Sequence, residues 1–188
     1  MSIDGGEIKL TRLLVLGILD VQPMSGYDIQ QTLQMTDAER WGGVLIGSIY
    51  HALKKMEQEG YVEITSIEQT GHRQKAVYAI TESGRSYLQT LIKDSLKVSS
   101  VLYPSTLYSG LSFYEKLSTN ECRKALEEQR TALTAEYAAV KSGFEAKDTA
   151  MQHKIPPMVL LIMDNMFSII KQQQNFVDKA LALLEMEH

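Results

Sequence analysis

Hydrophobic residues recur with two different periods along the first half of the chain. Apolar positions every three or four residues predict helices over residues 9–21 and 46–59, with a shorter helix over residues 25–34 between them. Apolar positions at every second residue, together with β-branched side chains, predict strands over residues 61–67 and 76–80. The polar stretch between the two strands makes them a hairpin.

Signals at the ends of these segments extend the pattern. Ser25 can cap the second helix, and Thr81 can cap another helix that follows the second strand. The polar residues 36–43 predict a connector before the third helix. Three helices, a hairpin and a further helix in this order are the layout of a winged helix-turn-helix. We predict this DNA-binding fold for residues 1–97.

The pattern changes after residue 97, where the strand signals disappear. Helices are predicted over residues 104–117, with proline in the first turn, over residues 119–147 and over residues 158–186. The last helix would be roughly 43 Å long at about 1.5 Å per residue, which is too long to pack on a single small domain. The expected fold class is therefore mainly α with a small β-hairpin. Residues 98–188 are expected to form a helical dimerisation domain that could also sense an effector.

The last predicted helix carries an apolar stripe whose positions alternate by three and four residues, as in a coiled-coil seam. The stripe consists of Val159, Ile162, Met166, Ile169, Gln173, Phe176, Ala180 and Leu183. Gln173 is its polar exception, and a single polar residue in a seam can fix the register. Because DNA half-sites come in symmetry-related pairs, the expected partner is a second copy of the chain. A helical bundle within one chain is the alternative.

The third helix presents two faces at about 100° per residue. The apolar face should pack on the first two helices, and it holds Leu45, Ile49, Ala52, Leu53 and Met56. The opposite face holds Gly47, His51, Lys54 and Gln58, flanked by Ser48, Tyr50 and Lys55. Tyrosine and histidine can contact base edges in a major groove, while Lys54 and Lys55 can neutralise phosphates. Such a face is also ordinary solvated surface, but its place in the winged-helix order favours DNA.

The hairpin turn is basic. His72, Arg73, Gln74 and Lys75 follow Gly71 with no acidic residue among them. A wing tip of this kind can lie along the DNA backbone or enter the minor groove, where arginine is favoured. A solvated hairpin tip is the alternative. We therefore add His72, Arg73 and Lys75 to the predicted DNA contacts.

Composition limits how DNA could be bound. The net charge is −4, and residues 1–97 carry ten basic and twelve acidic residues, so neither half of the chain is basic. Any DNA contact must therefore come from a local patch of positive charge.

Cys122 is the single cysteine, which excludes an intrachain disulfide and fits a reducing compartment. It lies on an apolar helix face, where an inert core thiol is more common than a nucleophile.

Other classes of function find little support. The four histidines lack metal-ligand spacing, and no phosphate loop or catalytic constellation occurs, so we expect no metal, no cofactor and no enzyme activity. The apolar run at residues 159–170 is interrupted by Asp164 and Asn165 and is shorter than the roughly 20 residues needed to cross a bilayer. The first residues do not resemble a signal peptide. We expect a cytoplasmic protein without a membrane partner.

Several strings resemble the PadR family of bacterial transcription regulators. They are SGYDI at 25–29, GSIYHALKKMEQEGYVE at 47–63 and TGHRQKAVYAITESGRSYL at 70–88, together with Trp41. The resemblance covers about residues 10–90. It implies a winged helix with a helical C-terminal dimerisation region, which usually represses transcription at operators near the regulated genes. In some members a small aromatic or lipophilic compound releases the DNA.

The resemblance also implies particular contacts. By position, Ser48, Tyr50 and Lys54 match DNA contacts of the reading helix, and Tyr27 matches a second-helix contact near the backbone. His51 stands where proline is commoner in the family. The long C-terminal region resembles the branch that includes phenolic-acid repressors and a virulence-gene activator. We predict a sequence-specific, double-stranded-DNA-binding repressor released by a small-molecule effector. The alternatives are a winged-helix protein-interaction module and an activator without a ligand.

Aromatic and methionine residues of the C-terminal region are candidates for lining an effector pocket. Flexible methionine suits an adaptable cavity, although such residues form core more often. The first candidates precede the long helices and are Tyr103, Tyr108, Phe113 and Tyr114. The others come later in the chain, most of them within the last helix, and are Met151, Met158, Met163, Met166, Phe167 and Phe176.

Overall fold

The computed structural model describes residues 3–36, 38–70, 73–98, 101 and 103–186. The chain divides into two compact units, Met1–Ser100 and Val101–His188, called unit 1 and unit 2 below. The described residues form mainly helices and a three-stranded antiparallel sheet, which confirms the predicted fold class. Among these residues, no helix is long and apolar enough to cross a membrane.

Unit 1 has the predicted winged helix-turn-helix order. Its elements are α1 (Ile3–Val21), β1 (Met24–Ser25), α2 (Gly26–Met35), α3 (Ala38–Gly42), α4 (Ile46–Gln58), β2 (Val62–Thr70), β3 (Arg73–Ile80) and α5 (Glu82–Lys97). Both predicted caps are present. The Ser25 hydroxyl accepts a hydrogen bond from the Asp28 backbone N–H at 3.2 Å, and the Thr81 hydroxyl accepts one from the Gly84 N–H at 3.0 Å.

Three features of unit 1 differ from the sequence prediction. α1 begins well before residue 9. β1 forms where only the end of a helix was expected, because its two residues pair with Tyr78 and Val77 of β3. The segment expected to be a connector contains α3, whose Trp41 indole donates to the Thr36 carbonyl at 2.8 Å. Five residues are too few to show a helical period in the sequence.

The sheet and the helices α1, α2, α4 and α5 enclose the core of unit 1. The strand order is β1–β3–β2, and β2 pairs with β3 so that Val62 lies opposite Ile80, with an irregularity between Ile64 and Ser66. The core includes Val15, Leu16, Leu19, Ile29, Leu33, Ile49, Leu53, Met56, Val62 and Leu88. The β2–β3 hairpin is the wing. Its turn at residues 71–72 lies outside the described residues.

Unit 2 contains α6 (Ser105–Leu111), a 3-10 turn (Tyr114–Lys116), α7 (Thr119–Ala150) and α8 (Pro157–Met186). The prediction of one helix over residues 104–117 is wrong, because α6 ends at Leu111. Gly110 is a weak helix former, and the Ser112 hydroxyl donates to the Tyr108 carbonyl at 2.9 Å. α7 begins with a capping box between Ser118 and Glu121 that the sequence analysis missed.

α7 and α8 pack side by side in opposite directions, since residues late in α8 face residues early in α7. The facing pairs are Arg123 with Glu185, Arg130 with Asp178, and Tyr137 with Phe167. The α8 residues buried in unit 2 are Ile170, Val177 and Leu184. They recur every seven residues and lie one position after Ile169, Phe176 and Leu183 of the predicted stripe.

Candidate nucleic-acid interface

The apolar face of α4 is buried as predicted. Ile49, Ala52, Leu53 and Met56 are at most 4% exposed and belong to the core of unit 1. Leu45 was wrongly assigned to this face. It precedes the first turn of α4 in an extended conformation and is 56% exposed. Because Leu45 lies outside the helix, the helical period does not place its side chain.

The opposite face of α4 is exposed. Tyr50, His51, Lys54 and Lys55 are all exposed, so the structure brings these predicted residues onto one side of the helix. Ser48 is only half-exposed. Its hydroxyl donates to the Leu45 carbonyl at 2.6 Å and lies 3.3 Å from the hydroxyl of Thr11. Ser48 therefore also stabilises the first turn of α4.

A close contact between α2 and α4 positions the Tyr50 ring. A Cβ atom added to Gly26 would lie 2.7 Å from Cε1 of Tyr50 and 3.3 Å from Cδ1 of Leu53. Only glycine fits there while the ring keeps its position. This role of Gly26 could not be predicted from the string SGYDI, because a contact between two helices leaves no local signal.

Lys75 of the wing is joined to α2. Its ammonium donates to Oδ1 of Asp28 at 3.0 Å, lies 2.9 Å from Oδ2, and sits 5.5 Å from the centre of the Tyr27 ring. Hydrogen bonds from Lys75, and secondly from Ser25, hold the pKa of the Asp28 carboxyl below its ordinary value of 3.8. Tyr27 is 55% exposed beside this ion pair. The charge of Lys75, a predicted DNA contact, is therefore partly neutralised by Asp28.

The other predicted wing residues are described only in part. Arg73 begins β3, and its backbone pairs with Thr70 of β2. The Arg73 side chain and the whole of His72 lie outside the described residues. The predicted DNA contacts of these two residues therefore stay predictions.

An ion pair holds the C-terminal end of α4. The Arg12 guanidinium of α1 donates to both carboxylate oxygens of Glu59, at 2.6 and 2.9 Å. The hydrogen bonds from Arg12 are the main reason that the pKa of Glu59 lies below its ordinary value of 4.5. They also raise the pKa of Arg12. No local pattern in the sequence links Glu59 to Arg12, because the two residues lie 47 positions apart.

The predicted stripe on α8 is open on part of its length. Ile162, Ile169 and Leu183 are 53%, 55% and 61% exposed, while Val159, Met166, Gln173, Phe176 and Ala180 are half-buried. α8 therefore has two apolar faces. One is covered by α7, and the other has no cover within unit 2 over its most exposed positions.

A wide apolar groove lies within unit 2 between α6, the start of α7 and the end of α8. Its volume is about 1100 Å³, and Tyr103, Tyr114, Cys122 and Phe176 are among the residues that line it. Tyr108 lies beside it, with its ring centre 5.6 Å from that of Phe176. The candidate methionines do not line this groove.

Within the described chain, no group of three or more histidine, cysteine or acidic residues could hold a metal ion.

Comparison with known families gives a match over the N-terminal segment. Residues 15–90 match the model of the transcriptional regulator PadR-like family. The negative transcriptional regulator PadR of Bacillus subtilis is 28% identical over 81 residues, which are 43% of this chain and 44% of that protein. A probable transcriptional regulator of Mycobacterium tuberculosis is 33% identical over 82 residues, or 44% of this chain and 43% of that protein. The matched segments span less than half of each relative. The matching proteins are regulators, which agrees with the expectation that the chain is not an enzyme.

Solved structures match the fold over nearly the whole chain. Bacillus subtilis PadR in complex with operator DNA has a TM-score of 0.73 at 21% identity, covering 93% of this chain and 97% of that chain. The same protein in complex with p-coumaric acid has a TM-score of 0.69 at 19% identity, covering 95% and 97%. At this level of identity the likeness concerns the fold alone. It extends beyond residues 15–90 into the helices of unit 2.

Proposed function

We propose that this chain is a member of the transcriptional regulator PadR-like family, whose model matches residues 15–90, and that it is a homodimeric regulator that binds specific DNA sequences. The observation that carries the proposal is the geometry of α4. One face is buried in the core, and the other presents Tyr50, His51, Lys54 and Lys55 to solvent. A helix of this kind fits a major groove. Bacillus subtilis PadR, which has a similar fold, has been solved in complex with operator DNA, and this supports DNA as the partner.

The residues of this interface have different roles in the proposal. Tyr50 contacts base edges, because it projects from the exposed face and its ring is held against Gly26. Lys54 and Lys55 neutralise phosphates on either side of the groove. Ser48 and His51 contact the DNA from the first two turns of α4. Their places on the exposed or half-exposed side support this.

The wing and α2 supply the remaining contacts. Tyr27 and Lys75 lie together, and both approach the backbone next to the groove that α4 occupies. Phosphate competes with Asp28 for the Lys75 ammonium, so Lys75 exchanges one anionic partner for another on binding. His72 and Arg73 at the hairpin turn extend the contact toward the minor groove. A regulator of this kind acts on chromosomal DNA in the cytoplasm.

The open stripe of α8 is the proposed dimer interface. Ile162 and Leu183 lie at equal distances from the midpoint between Gln172 and Gln173, and so do Ile169 and Phe176. Two copies of α8 in opposite directions would therefore match apolar positions across a two-fold axis, as an interface between identical surfaces requires. Gln173 near the axis can fix the register. Val159 and Met166 complete the interface on the N-terminal half of α8.

We propose repression relieved by a small molecule as the regulatory action. The Bacillus subtilis relative is a negative regulator, and its fold has been solved with p-coumaric acid. The apolar groove of unit 2 is a site of suitable size for an organic effector. A reporter assay of the regulated promoter, with the chain present or deleted, tests the sign. Higher expression in its presence would make the protein an activator instead.

Selection of bound genomic fragments by the purified full-length protein tests operator recognition. We expect enrichment of a palindromic or nearly palindromic site and a steep loss of affinity with added salt, because the lysines displace counterions from phosphates. Lys54→Ala should weaken binding to the selected site and to random duplex alike and reduce the salt slope by about one. Equal affinity of the unaltered protein for the selected fragments and for random duplex would refute operator recognition.

A further inference from the structure

The groove of unit 2 has an uneven distribution of polar groups. Its floor is apolar, with Leu107, Leu111, Leu126 and Leu184 among the lining residues. Lys179 is the charged residue of the lining, and the neutral polar groups include Gln129, Ser105 and Thr106. Among the residues that the structure describes, no carboxylate lines the groove. An apolar surface with a single positive charge complements a ligand that has an apolar body and one anionic group.

The ion pairs around the groove leave Lys179 available. Arg123 and Arg130 of α7 lie near the carboxylates of Glu185 and Asp178 of α8. In the part of the chain that the structure describes, Lys179 has no carboxylate within ion-pair distance. It follows Asp178 directly, but the Asp178 carboxylate faces Arg130. Lys179 is therefore the cation of this region whose charge an incoming anion can neutralise.

The size of the groove points to a long ligand. Its volume of about 1100 Å³ is at the upper end of the roughly 300–1,000 Å³ typical of sites for drug-sized molecules. An acid with one aromatic ring would leave much of this apolar surface in contact with water. A flexible hydrocarbon chain can follow a groove formed by three helices and cover more of it.

We propose that this groove binds the acyl chain of a long-chain carboxylate, with its carboxylate beside Lys179. The inference rests on the proposed effector role of unit 2 and specifies the ligand class. It does not depend on operator recognition, since the ligand contacts residues of unit 2. Phe176 and Leu183 of the α8 stripe also line the groove, so the site borders the proposed dimer interface. The aromatic rings of Tyr103, Tyr114 and Phe176 contact the chain, and Gln129 provides an additional polar contact.

Calorimetric titration of the full-length protein without DNA tests the proposal. The probes are octanoate, decanoate, dodecanoate and tetradecanoate, each below its micelle concentration, with 1-dodecanol and p-coumarate for comparison. We expect the Kd to fall up to about fourfold for each added methylene, because each one buries more apolar surface. Dodecanoate should bind about three- to fivefold more tightly than 1-dodecanol, because only the acid carries a charge.

Two variants locate the site. Lys179→Gln should remove the preference for dodecanoate over 1-dodecanol, while Lys171→Gln, elsewhere on α8, should keep it. Gly110→Phe should weaken every fatty acid more than tenfold, because a Cβ at Gly110 meets open space and the ring can occupy the groove without a clash. Phenylalanine also suits a helix better than glycine, so α6 should stay folded.

Three outcomes would overturn the proposal. One is a lack of selectivity for long hydrocarbon chains. In that case the Kd of the fatty acids would not change with the length of their hydrocarbon chain, or p-coumarate would bind as tightly as tetradecanoate. Another is unchanged fatty-acid binding by Gly110→Phe. The third is loss of the dimer in Gly110→Phe by light scattering, which would assign the groove to a second copy of the chain. Failure of operator binding with normal fatty-acid binding would count against the proposed function and leave this site intact.

Discussion

Unit 1 and unit 2 differ in how completely they bury their own apolar side chains. Fifteen hydrophobic residues of unit 1 are buried, against seven of unit 2, although the described parts of the two units are similar in length. The apolar face of α4 is covered and its polar face is open. On α8, Ile162, Ile169 and Leu183 are left open. The exposed face of unit 1 therefore suits a charged polymer, and that of unit 2 suits another apolar surface.

This difference has a thermodynamic consequence. We expect unit 1 to derive its stability mainly from its own core, in which single close contacts such as those at Gly26 and Gly84 set the geometry. We expect unit 2 to gain part of its stability from a partner that covers the open face of α8. Substitutions in unit 1 should therefore act within the protomer, whereas substitutions on the open face of α8 should depend on protein concentration.

The largest effect is expected from Gly84→Ala. A Cβ atom at this position would lie 2.0 Å from the Tyr61 carbonyl oxygen, so the start of α5 would have to move away from the base of the wing. We expect the free energy of unfolding of unit 1 to fall by about 3 kcal/mol. Hydrogen exchange read by mass spectrometry should show faster exchange in α4 and α5 and unchanged exchange in α7. Gly17→Ala is the matched control, because a Cβ there meets no atom within 4 Å.

If Gly84→Ala and Gly17→Ala were equally stable, the close contact at Tyr61 would not determine the position of α5. If protection fell equally in α7, the two units would not unfold independently, and the contrast between them would be lost.

Ile169→Glu should weaken dimerisation through the open face of α8. Two copies of the new carboxylate would lie near the two-fold axis, and both would lose water on association. We expect the dissociation constant of the dimer to rise on the order of a hundredfold, measured by sedimentation equilibrium. Ser168→Glu, which adds the same charge at an exposed position outside the stripe, should leave the dimer intact. Equal behaviour of the two variants would rule out this face as the interface.

Gly26→Ala should reduce DNA specificity with a smaller cost in stability. The added methyl group would displace the Tyr50 ring, whose Cε1 lies 2.7 Å from its position. We expect the preference for operator over random duplex to fall by about 1–2 kcal/mol, measured by fluorescence anisotropy. Tyr50→Ala should produce a similar loss, and the double variant should lose little more, because both changes act on one side chain. Fully additive losses would contradict a positioning role for Gly26.

Local patterns account for much of unit 1. The helical period identified the buried face of α4, and the hydroxyls of Ser25 and Thr81 identified two helix starts, because these signals depend on residues close together in the chain. The pairs Arg12–Glu59 and Asp28–Lys75 join residues 47 positions apart. They arise only when the packed helices and the wing bring them together, so they could not be predicted from local sequence.

The pattern on α8 was harder to interpret for a different reason. Ile169 and Ile170, and likewise Phe176 and Val177, are neighbours in the chain with the same spacing of seven. One series packs on α7 and the other is more exposed. A heptad pattern alone does not say which series faces the helix of the same chain. The predicted stripe is the series that is partly open in the structure, and the buried series was not predicted.

The smallest effect concerns the pair that joins the wing to α2. The pKa of Asp28 in the folded protein lies below its ordinary value of 3.8, chiefly because of the hydrogen bond from Lys75. The pair therefore contributes its full stabilisation of unit 1 at pH values above 3.8. This contribution is lost as the pH falls through the lower pKa that Asp28 has in the folded state. At neutral pH, Asp28→Asn should cost less than about 1 kcal/mol, because both side chains are partly exposed.

Urea unfolding of the protein and of Asp28→Asn at a series of pH values measures this difference. The gap in stability should narrow as the pH falls below 3.8 and close below the lower pKa of the folded state, where the carboxyl is protonated in the folded unaltered protein as well. When Lys75→Met is present in both proteins, Asp28→Asn should change the free energy of unfolding much less at neutral pH. The remaining difference should be the part that comes from the hydrogen bond between Asp28 and Ser25. A gap that persists in that background would mean that Asp28 stabilises unit 1 through the start of α2 and not through the wing.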